Sequence, residues 1–402
     1  MRTLFIADTV PYPLNSGSKQ RDYHILAALA RISEVTLVSF LQVGDDRADL
    51  ERLRHLFKDS YMLACGSAGS GLAQRVKHLV HSLDPTQPAL FRWYYSEEAA
   101  RLLGRLCARS YDLIWAEKLF ALLLLPKDAD ERRVFDLHDI ESRRMFHRLK
   151  NVTPFHGKPL EWLEYRKLLR FERRLARLPY ELTVCSQADK EALGGGPQIT
   201  VIPNGVDMPA GSYSRALVKQ PPIFLFVGTM SYAPNADAAE FFARSILPRI
   251  QKEIPEAQFQ IAGRDPGPRV ARLHDGRSIL VTGEVPDVGP YWAGATAGVA
   301  PIRFGGGTRI KILEAMSYGR PVVSTHVGAE GIEGTDGEHF LLADEPAEFA
   351  AACVRLARDN AQWERIAERG HLLVRERYEW RQIEREVERL AATPRAKDVH
   401  AV

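Results

Sequence analysis

Residues Pro301 to Glu330 read PIRFGGGTRIKILEAMSYGRPVVSTHVGAE, and this stretch decides the fold of the second half of the chain. A short apolar strand ends at its start. Three glycines, including Gly306 and Gly307, then form a turn before a helix that the pattern predicts to begin near Thr308, its expected N-cap. A glycine-rich turn at a helix N-terminus presents backbone N–H groups to an anion such as a diphosphate. The alternative interpretation is a turn that serves tight packing alone.

Two cations follow the glycine turn, at Arg309 and Lys311. Both add positive charge to a diphosphate site. Apolar residues at 310, 313 and 316 fit one buried stripe of the predicted helix, which leaves Glu314 off the stripe and directed towards a ligand.

Outside this stretch, short apolar runs alternate with helical patterns along the whole chain. That alternation predicts βαβ units and parallel sheets. Nearly every run in the second half ends at a small residue or a proline, which lets a ligand approach the carboxyl ends of the strands. The expected strands are Leu4–Ala7, Glu34–Phe40, Tyr111–Ala116, Arg133–Leu137, Glu181–Cys185, Ile199–Ile202, Ile223–Val227, Phe259–Ala262, Ile279–Val281, Gly298–Ala300 and Pro321–Ser324.

A pattern-poor stretch, Gly211 to Pro222, reads as a linker between two such halves. We therefore expect two facing Rossmann-like domains, 1–210 and 211–379, with a binding cleft between them. The charged helical pattern at about 380–402 is expected to pack back on the first domain.

Composition narrows the class of protein. The net charge of +3 from 54 basic and 51 acidic residues argues against a dedicated nucleic-acid binder. The four cysteines lack zinc-site spacing, which favours free thiols in a reducing compartment. No D-x-D-type metal motif stands out at a strand end, so we expect no metal. Neither a signal-peptide pattern nor a membrane-spanning apolar run is present. The expected location is cytoplasmic, and peripheral contact with the inner face of a membrane stays open.

Several motifs in the same order resemble the retaining glycosyltransferases of the two-domain GT-B fold, in particular family 4. That family has an E-x7-E motif followed by E-A-x-A-x-G-x-P-V-V. The chain has a similar run from Glu314 to Val323, within a GGGTR-x-K-x-L-E variant of the loop. Ile202–Asp207 and Phe226–Met230, which contains Gly228, also resemble family motifs. The resemblance implies a metal-independent hexosyltransferase with a UDP- or GDP-linked sugar as co-substrate and no other cofactor.

The resemblance implies that Glu314 holds the ribose hydroxyls of the nucleotide. The chain departs from the family at three other donor positions. Gly306 replaces the first glutamate of the motif, and Thr229 and Asn235 stand near the places of the usual phosphate-binding Arg and Lys. We expect Arg303, Arg309 or Lys311 to replace these cations.

In the first half, the loop after the first strand contains Gly17, which matches the family's glycine loop near the donor phosphates or the acceptor. Lys19 or Arg21 is expected to point into the cleft. His138 lies at a strand end where the family often has a histidine near the transferred sugar. Asp139 or Glu141 is expected to orient His138 or to take the acceptor's proton.

Two basic stretches, Arg143–Lys150 and Arg166–Arg177, read either as solvated helices or as a surface for anionic lipid or a lipid-diphosphate acceptor. The predicted function is transfer of a sugar to a glycan, lipid-linked or small-molecule acceptor, in polysaccharide or glycoconjugate biosynthesis. The alternative is a degenerate GT-B module that binds a nucleotide-sugar or a partner without catalysis. A GT-B epimerase is less favoured, since no clear acid pair marks the cleft.

Overall fold

The structure is a computed structural model that describes residues 1–42, 45–64, 88–89, 94, 96–126, 131–151, 158–175, 178, 180–209 and 221–393. The chain divides into two compact units. Unit 1 comprises Met1–Asn204 with Ile383–Val402, and unit 2 comprises Gly205–Gln382. The linker expected at 211–222 lies outside the described residues except for its last two positions.

Unit 1 is an α/β domain in which strands and helices alternate. Its strands are β1 (Arg2–Ala7), β2 (Glu34–Leu41), β3 (Asp59–Ala64), β4 (Leu113–Glu117), β5 (Arg132–Leu137), β6 (Glu181–Val184) and β7 (Ile199–Val201). Its helices are α1 (Gly17–Ile32), α2 (Arg47–Arg52), α3 (Glu97–Cys107), α4 (Glu141–Asn151), α5 (Lys158–Leu175) and α6 (Gln187–Ala192), with 3₁₀ turns at Arg54–Leu56 and Leu119–Leu123.

The seven strands of unit 1 form one parallel sheet in the order β3-β2-β1-β4-β5-β6-β7. The strand order changes direction between β1 and β4. Ligands of open α/β sheets bind at the carboxyl ends of the strands beside such a switch point. In unit 1 that place is occupied by Asp8, which follows β1, and by Glu117 at the end of β4.

Unit 2 repeats the plan. Its strands are β8 (Ile223–Val227), β9 (Gln258–Ala262), β10 (Ile279–Gly283), β11 (Ala297–Ala300), β12 (Val322–Ser324) and β13 (Leu341–Leu342). Its helices are α7 (Ala233–Phe241), which continues through a π turn (Phe242–Ile246) into α8 (Leu247–Glu253), then α9 (Pro268–Ala271), α10 (Gly289–Gly294), α11 (Ile310–Ser317), α12 (His326–Ala329), α13 (Pro346–Arg358) and α14 (Asn360–Arg377).

The second sheet is also parallel, in the order β10-β9-β8-β11-β12-β13. Its switch point lies between β8 and β11, so Gly228 after β8 and the glycine turn after β11 lie at the carboxyl edge beside it. The predicted class, two parallel-sheet Rossmann-like α/β domains, is confirmed.

Each unit has its own apolar core beside its sheet. In unit 1 the core combines strand residues such as Ile6 and Phe135 with Leu168 and Leu175 of α5. In unit 2, Phe242 packs on Phe259 with ring centroids 4.3 Å apart. No helix within the described ranges is long and apolar enough to cross a bilayer.

The final helix, α15 (Trp380–Ala392), begins in unit 2 and belongs to unit 1 from Ile383 onwards. There Glu384 accepts a hydrogen bond from the His24 ring at 2.7 Å, and Arg132 donates to the carbonyl of Leu390 at 2.8 Å. Residues 394–402 of the predicted helix lie outside the described residues.

Strands β3 and β13 are not predicted by the sequence pattern, and both lie at an edge of their sheet. Strand β3 reads DSYMLA and contains a single buried residue, so it lacks the apolar run of a central strand. Strand β13 has only two residues.

Candidate functional site

Gly228 and Gly263 lie against each other where β8 and β9 end. Their φ angles are +156° and +153°. A Cβ atom on Gly263 would lie 1.8 Å from the carbonyl oxygen of Gly228, so only glycine fits there. A Cβ atom on Gly228 would lie 2.8 Å from the side-chain amide of Asn235 and 2.9 Å from the ammonium of Lys311. The turn after β8 is therefore bare backbone with polar and charged groups beside it.

Two cations from elsewhere in unit 2 reach the turn after β8. Nζ of Lys311 donates to Oδ1 of Asn235 at 2.7 Å. Nε of Arg264, which follows β9, donates to the hydroxyl of Thr229 at 3.2 Å. Thr229 and Asn235 are the two positions at which the family resemblance leads one to expect cations. Each is contacted by a cation that the chain supplies from another strand or helix.

The ammonium of Lys311 lies in an unusual environment. It stands 4.0 Å from the centroid of the Phe226 ring, and its hydrogen-bond acceptor is a neutral amide. Burial, together with the positive charge of Arg309, holds the pKa of Lys311 well below its ordinary value. A bound diphosphate would reverse this effect, because an adjacent anion favours the charged ammonium.

Arg309 contacts its own loop. Its guanidinium donates to the carbonyl oxygens of Gly306 and Gly307, and the residue is only 7% exposed. Helix α11 begins at Ile310 with Arg309 as N-cap, and no side chain caps it. This corrects the expected start near Thr308. The hydroxyl of Thr308 is enclosed and has no hydrogen-bond partner among the described residues.

Arg303, another expected replacement cation, pairs with a carboxylate. Its guanidinium donates to both oxygens of Asp237 at 2.6 and 2.9 Å and lies over the ring of Phe241. Since this bidentate pair balances its charge, Arg303 contributes less to an anion site than Lys311 does.

Glu314 lies one turn into α11, three residues after Lys311. Burial raises the pKa of its carboxyl group, and the charge of Lys311 partly opposes that shift. The carboxylate is thus held in a poorly solvated place, in which a pair of ligand hydroxyls would replace lost water.

In unit 1 the structure buries Arg21 instead of directing it outwards. Its guanidinium forms two 2.6 Å hydrogen bonds with Asp136 and also donates to the carbonyl of Pro203 and to Asn204. Arg21 is 1% exposed. The expectation that Arg21 points into a cleft is therefore corrected. Its side chain links the first turns of α1 to the end of β5.

His138, at the carboxyl end of β5, is the centre of a buried ionic cluster. Its Nε2 atom lies 2.5 Å from Oε2 of Glu117, 3.1 Å from Oδ1 of Asp22 and 3.4 Å from Oδ2 of Asp136. Its Nδ1 atom lies 3.0 Å from the hydroxyl of Ser18. Since β4, β5 and α1 each supply a group, the ring is held from several sides.

The pKa values of His138 and Glu117 are both raised. Although burial acts in the opposite direction, Asp22 and Glu117 raise the pKa of His138 well above its ordinary value. Burial and the neighbouring carboxylates Asp136 and Asp22 raise the pKa of Glu117 in the same direction. The contact with His138 opposes the rise at Glu117, because an imidazolium 2.5 Å away favours the charged carboxylate.

Asp8 and Lys118 form an ion pair beside this cluster. Lys118 directly follows β4 and has φ +62°, a left-handed conformation that costs about 1–3 kcal/mol in a non-glycine residue. The charge of Asp8 raises the pKa of Lys118 against the effect of burial. Strained backbone of this kind clusters at functional sites, which marks the end of β4 as part of the candidate site.

The remaining predicted residues of unit 1 lie around the same sheet edge or on the surface. Gly17 opens α1, whose N-cap is Ser16. Lys19 pairs with Asp45 at 2.7 Å and donates to the carbonyl of Tyr12 at 2.9 Å. Glu141 bonds to Arg144 at 2.6 Å. Thus Lys19 and Glu141 are engaged locally, and the carboxylates that hold His138 are those of Asp22, Glu117 and Asp136. Asp139 follows His138 and is partly buried.

Four residues of the site are not among those predicted from the sequence: Arg264 in unit 2 and Asp22, Glu117 and Lys118 in unit 1. A usable signal existed for three of them. Glu117 and Lys118 directly follow the strand pattern YDLIWA, and Arg264 comes one residue after QFQIA, where ligands approach parallel sheets. Asp22 lies within a helix and carries no comparable signal.

Asp22, Glu117 and His138 also have ligand atoms within 4.8 Å of one another, a spacing compatible with a metal ion. In the described residues the positive charge beside these carboxylates comes from protein side chains. His138 contacts Asp22 and Glu117, and Arg21 pairs with the neighbouring Asp136. The geometry therefore has a satisfactory account in protons and ion pairs.

Comparison with known proteins agrees with this plan. Residues 221–359, about a third of the chain, match the family described as glycosyl transferases group 1. A protein in the cps region of Klebsiella pneumoniae, described as uncharacterized, is 25% identical over 167 residues. The match covers 40% of this chain and 43% of that protein, less than half the length of the relative.

Solved structures match over nearly the full chain. HepE from Anabaena, crystallised with UDP and glucose, has a TM-score of 0.66 at 18% identity and covers 98% of this chain and 100% of its own. Sucrose-phosphate synthase from Thermosynechococcus elongatus has a TM-score of 0.70 at 16% identity, covering 97% and 98%. WaaG, a glycosyltransferase involved in lipopolysaccharide biosynthesis, has a TM-score of 0.64 at 12% identity, covering 97% and 100%. At these identities the likeness establishes the fold, that of GT-B glycosyltransferases.

Proposed function

We propose that this protein is a glycosyltransferase that takes its sugar from a nucleoside-diphosphate sugar bound in unit 2. The observation that carries the proposal is the convergence of Lys311 and Arg264 on the bare turn at Gly228 and Thr229. Two cations beside a glycine turn at a sheet's switch point suit a diphosphate. The group 1 match over residues 221–359 supports the same assignment.

The diphosphate is the leaving group in this proposal. Lys311, Arg264 and the uncapped start of α11 would stabilise the negative charge that develops on it, and such stabilisation is usually the largest single catalytic effect. The enclosed hydroxyl of Thr308 would gain a hydrogen-bond partner. With these cations present we propose that transfer needs no metal ion, so a chelator should leave activity unchanged.

Glu314 is proposed to hold the ribose of the nucleotide. A carboxylate accepts hydrogen bonds from two vicinal hydroxyls, and such charge-assisted bonds are stronger than neutral ones. We propose a UDP- or GDP-linked hexose as donor. The UDP-linked class is the first to test, because the structurally similar HepE was crystallised with UDP-glucose.

Unit 1 is proposed to act on the sugar and the acceptor. His138, held by Glu117 and Asp22, offers a fixed positive group, and Ser18 and Asp139 lie beside it in space or sequence. We propose retention of the sugar's anomeric configuration. The acceptor is proposed to be a glycan, lipid-linked or small-molecule hydroxyl in cytoplasmic polysaccharide or glycoconjugate biosynthesis.

A second function, nucleotide-sugar binding without transfer, has one observation in its favour. Gly306 stands where the motif has its first glutamate, and Arg309 and Arg303 bond within the protein. In that case the chain would bind a nucleotide-sugar but not turn it over.

The test is nucleotide release from a panel of UDP-, GDP- and dTDP-sugars, with the wild type, Glu314→Ala and the control Glu348→Ala on the exposed side of α13. We expect the wild type to turn over one donor class. Glu314→Ala should lose this turnover, and the control Glu348→Ala should keep it. Equal turnover in Glu314→Ala would remove the proposed role of Glu314. Tight nucleotide binding with no turnover of any donor would favour the binding module.

A further inference from the structure

Helices α4 and α5 form an antiparallel pair on unit 1. The backbone N–H of Ser142 donates to Glu172 at 3.1 Å, and the rings of Phe146 and Tyr165 lie 5.6 Å apart. Towards the other end of the pair, Arg148 and Glu161 form a 2.8 Å ion pair. The inner side of α5 buries Leu168 and Leu175 in the core of unit 1. We call this element the α4–α5 hairpin.

The hairpin exposes large apolar side chains. Trp162 is 51% exposed, Phe146 47% and Leu160 38%. Among the described residues only six large hydrophobic side chains are exposed, and three of them lie on this hairpin. Exposed apolar groups concentrated on one element mark an interaction surface, whereas single ones scattered over a protein do not.

Basic residues surround these apolar groups. At 3.6 residues per turn, Trp162, Arg166, Arg170 and Arg173 share one face of α5, opposite Leu168. The guanidinium of Arg166 lies over the Trp162 ring, 5.1 Å from its centroid. Thus the face combines an indole ring with a row of cations.

The hairpin is far more basic than the rest of the chain. The residues of α4 and α5 include ten Lys and Arg against four Glu, a net charge of +6, while the whole chain carries +3. The acids are already engaged: two lie in surface pairs, Glu141 with Arg144 and Glu161 with Arg148, and two are buried. The exposed basic residues without a described acidic partner are Lys150, Lys158, Arg166, Arg170, Arg173 and Arg174.

We propose that the outer face of the α4–α5 hairpin docks on a bilayer that contains anionic phospholipid. The Trp162 and Phe146 side chains would enter the boundary between headgroups and acyl chains, and the nearby Arg and Lys would neutralise lipid phosphates. A second copy of the chain is a poor occupant, because two faces of the same strong positive charge repel each other. The proposal goes beyond the transfer reaction and does not depend on it.

Vesicle sedimentation tests the docking, with phosphatidylcholine vesicles that contain or lack phosphatidylglycerol. We expect binding to the anionic vesicles alone, weakened by added salt. Each basic residue near an anionic surface strengthens binding about fivefold. Arg166→Gln/Arg173→Gln should therefore weaken binding about 25-fold. The matched control is Arg365→Gln/Arg369→Gln on α14, which removes the same charge from exposed positions of unit 2 and should have little effect.

The apolar contribution has its own pair of variants. Trp162→Ala should weaken binding at least tenfold, as expected for an aromatic anchor that leaves the interface. Tyr232→Ala, which truncates a 44% exposed aromatic ring of unit 2, should not. Circular dichroism melts establish that each variant is folded. The proposal fails if anionic vesicles are not bound, or if the control pair weakens binding as much as the hairpin pair. It also fails if Trp162 matters for self-association or RNA binding while vesicle binding is unchanged.

Discussion

The ammonium of Lys311 donates a 2.7 Å hydrogen bond to Oδ1 of Asn235, although 76 positions separate the two residues. The contact brings a cation to Asn235, near which the family resemblance leads one to expect a lysine. Because the ammonium is buried and the charge of Arg309 lies nearby, the pKa of Lys311 is well below its ordinary value.

A pH dependence of nucleotide binding follows. A diphosphate prefers the charged ammonium, so UDP affinity should fall as the pH rises through the lowered pKa of Lys311. Binding should also take up a proton. Lys311→Met should weaken UDP binding roughly 10- to 100-fold and abolish the uptake. Calorimetry in buffers of different ionisation enthalpy measures both effects, and unchanged proton uptake in Lys311→Met would contradict the assignment.

Arg264 should act with Lys311 on the same ligand. Arg264→Gln is expected to weaken UDP binding about tenfold or more. Combined with Lys311→Met it should show an interaction energy of about 0.5–3 kcal/mol, as found for groups of one network. Arg272→Gln, an exposed neighbour at the end of α9, is the control. An unchanged dissociation constant for UDP in Arg264→Gln would remove Arg264 from the site.

Glu117 should set the protonation of His138. Glu117→Gln keeps the shape and removes a group that raises the pKa of His138, so this pKa should fall. Histidine NMR titration measures the shift, with Glu191→Gln on the exposed side of α6 as control. If activity requires charged His138, its loss with rising pH should begin at lower pH in the variant. No movement of the histidine titration would show that Glu117 is not its partner.

Glu172 predicts a pH-dependent stability that is separate from the site. Burial raises the pKa of this carboxyl group to about 7 from 4.5. Below pH 4.5 the carboxyl group is protonated in both the folded and the unfolded state, and its contribution to stability is fully present. As the pH rises from 4.5 to about 7 the unfolded state loses this proton first, so the free energy of unfolding should fall by about 3 kcal/mol. Denaturant unfolding at several pH values should show this slope, and Glu172→Gln should flatten it. A slope of equal size in the variant would assign the effect to another group.

Gly263 should tolerate no side chain. Gly263→Ala would place a Cβ atom 1.8 Å from the carbonyl oxygen of Gly228. Displacement of the β8 and β9 ends should cost more than about 2 kcal/mol of unfolding free energy and weaken UDP binding as well. Gly267→Ala is the control, because its Cβ atom would have nothing within 4 Å, and a change within about 0.5 kcal/mol is expected. A stable Gly263→Ala protein with normal UDP affinity would contradict this account.

Periodicity in the sequence was sufficient for the fold. The alternation of short apolar runs and helical patterns predicts two parallel sheets, because a buried parallel strand is a local apolar run that its own residues define. The glycine turn at 305–307 is likewise local. Edge strands such as β3 were missed, since a strand that is exposed on one side lacks that signal.

The partners of the charged residues were decided by the tertiary structure alone. Sequence order suggested that Asp139 or Glu141 would serve His138, but the sheet places Glu117 and Asp22 beside it. The sequence suggested that Arg21 points into a cleft, but its side chain is buried against Asp136, 115 positions away. The physical reason is that ion pairs depend on which strand ends and helix faces come together. Neighbouring strand ends at a switch point come from distant parts of the chain, so the sequence determined where charged groups stand, and only the fold determined which of them meet.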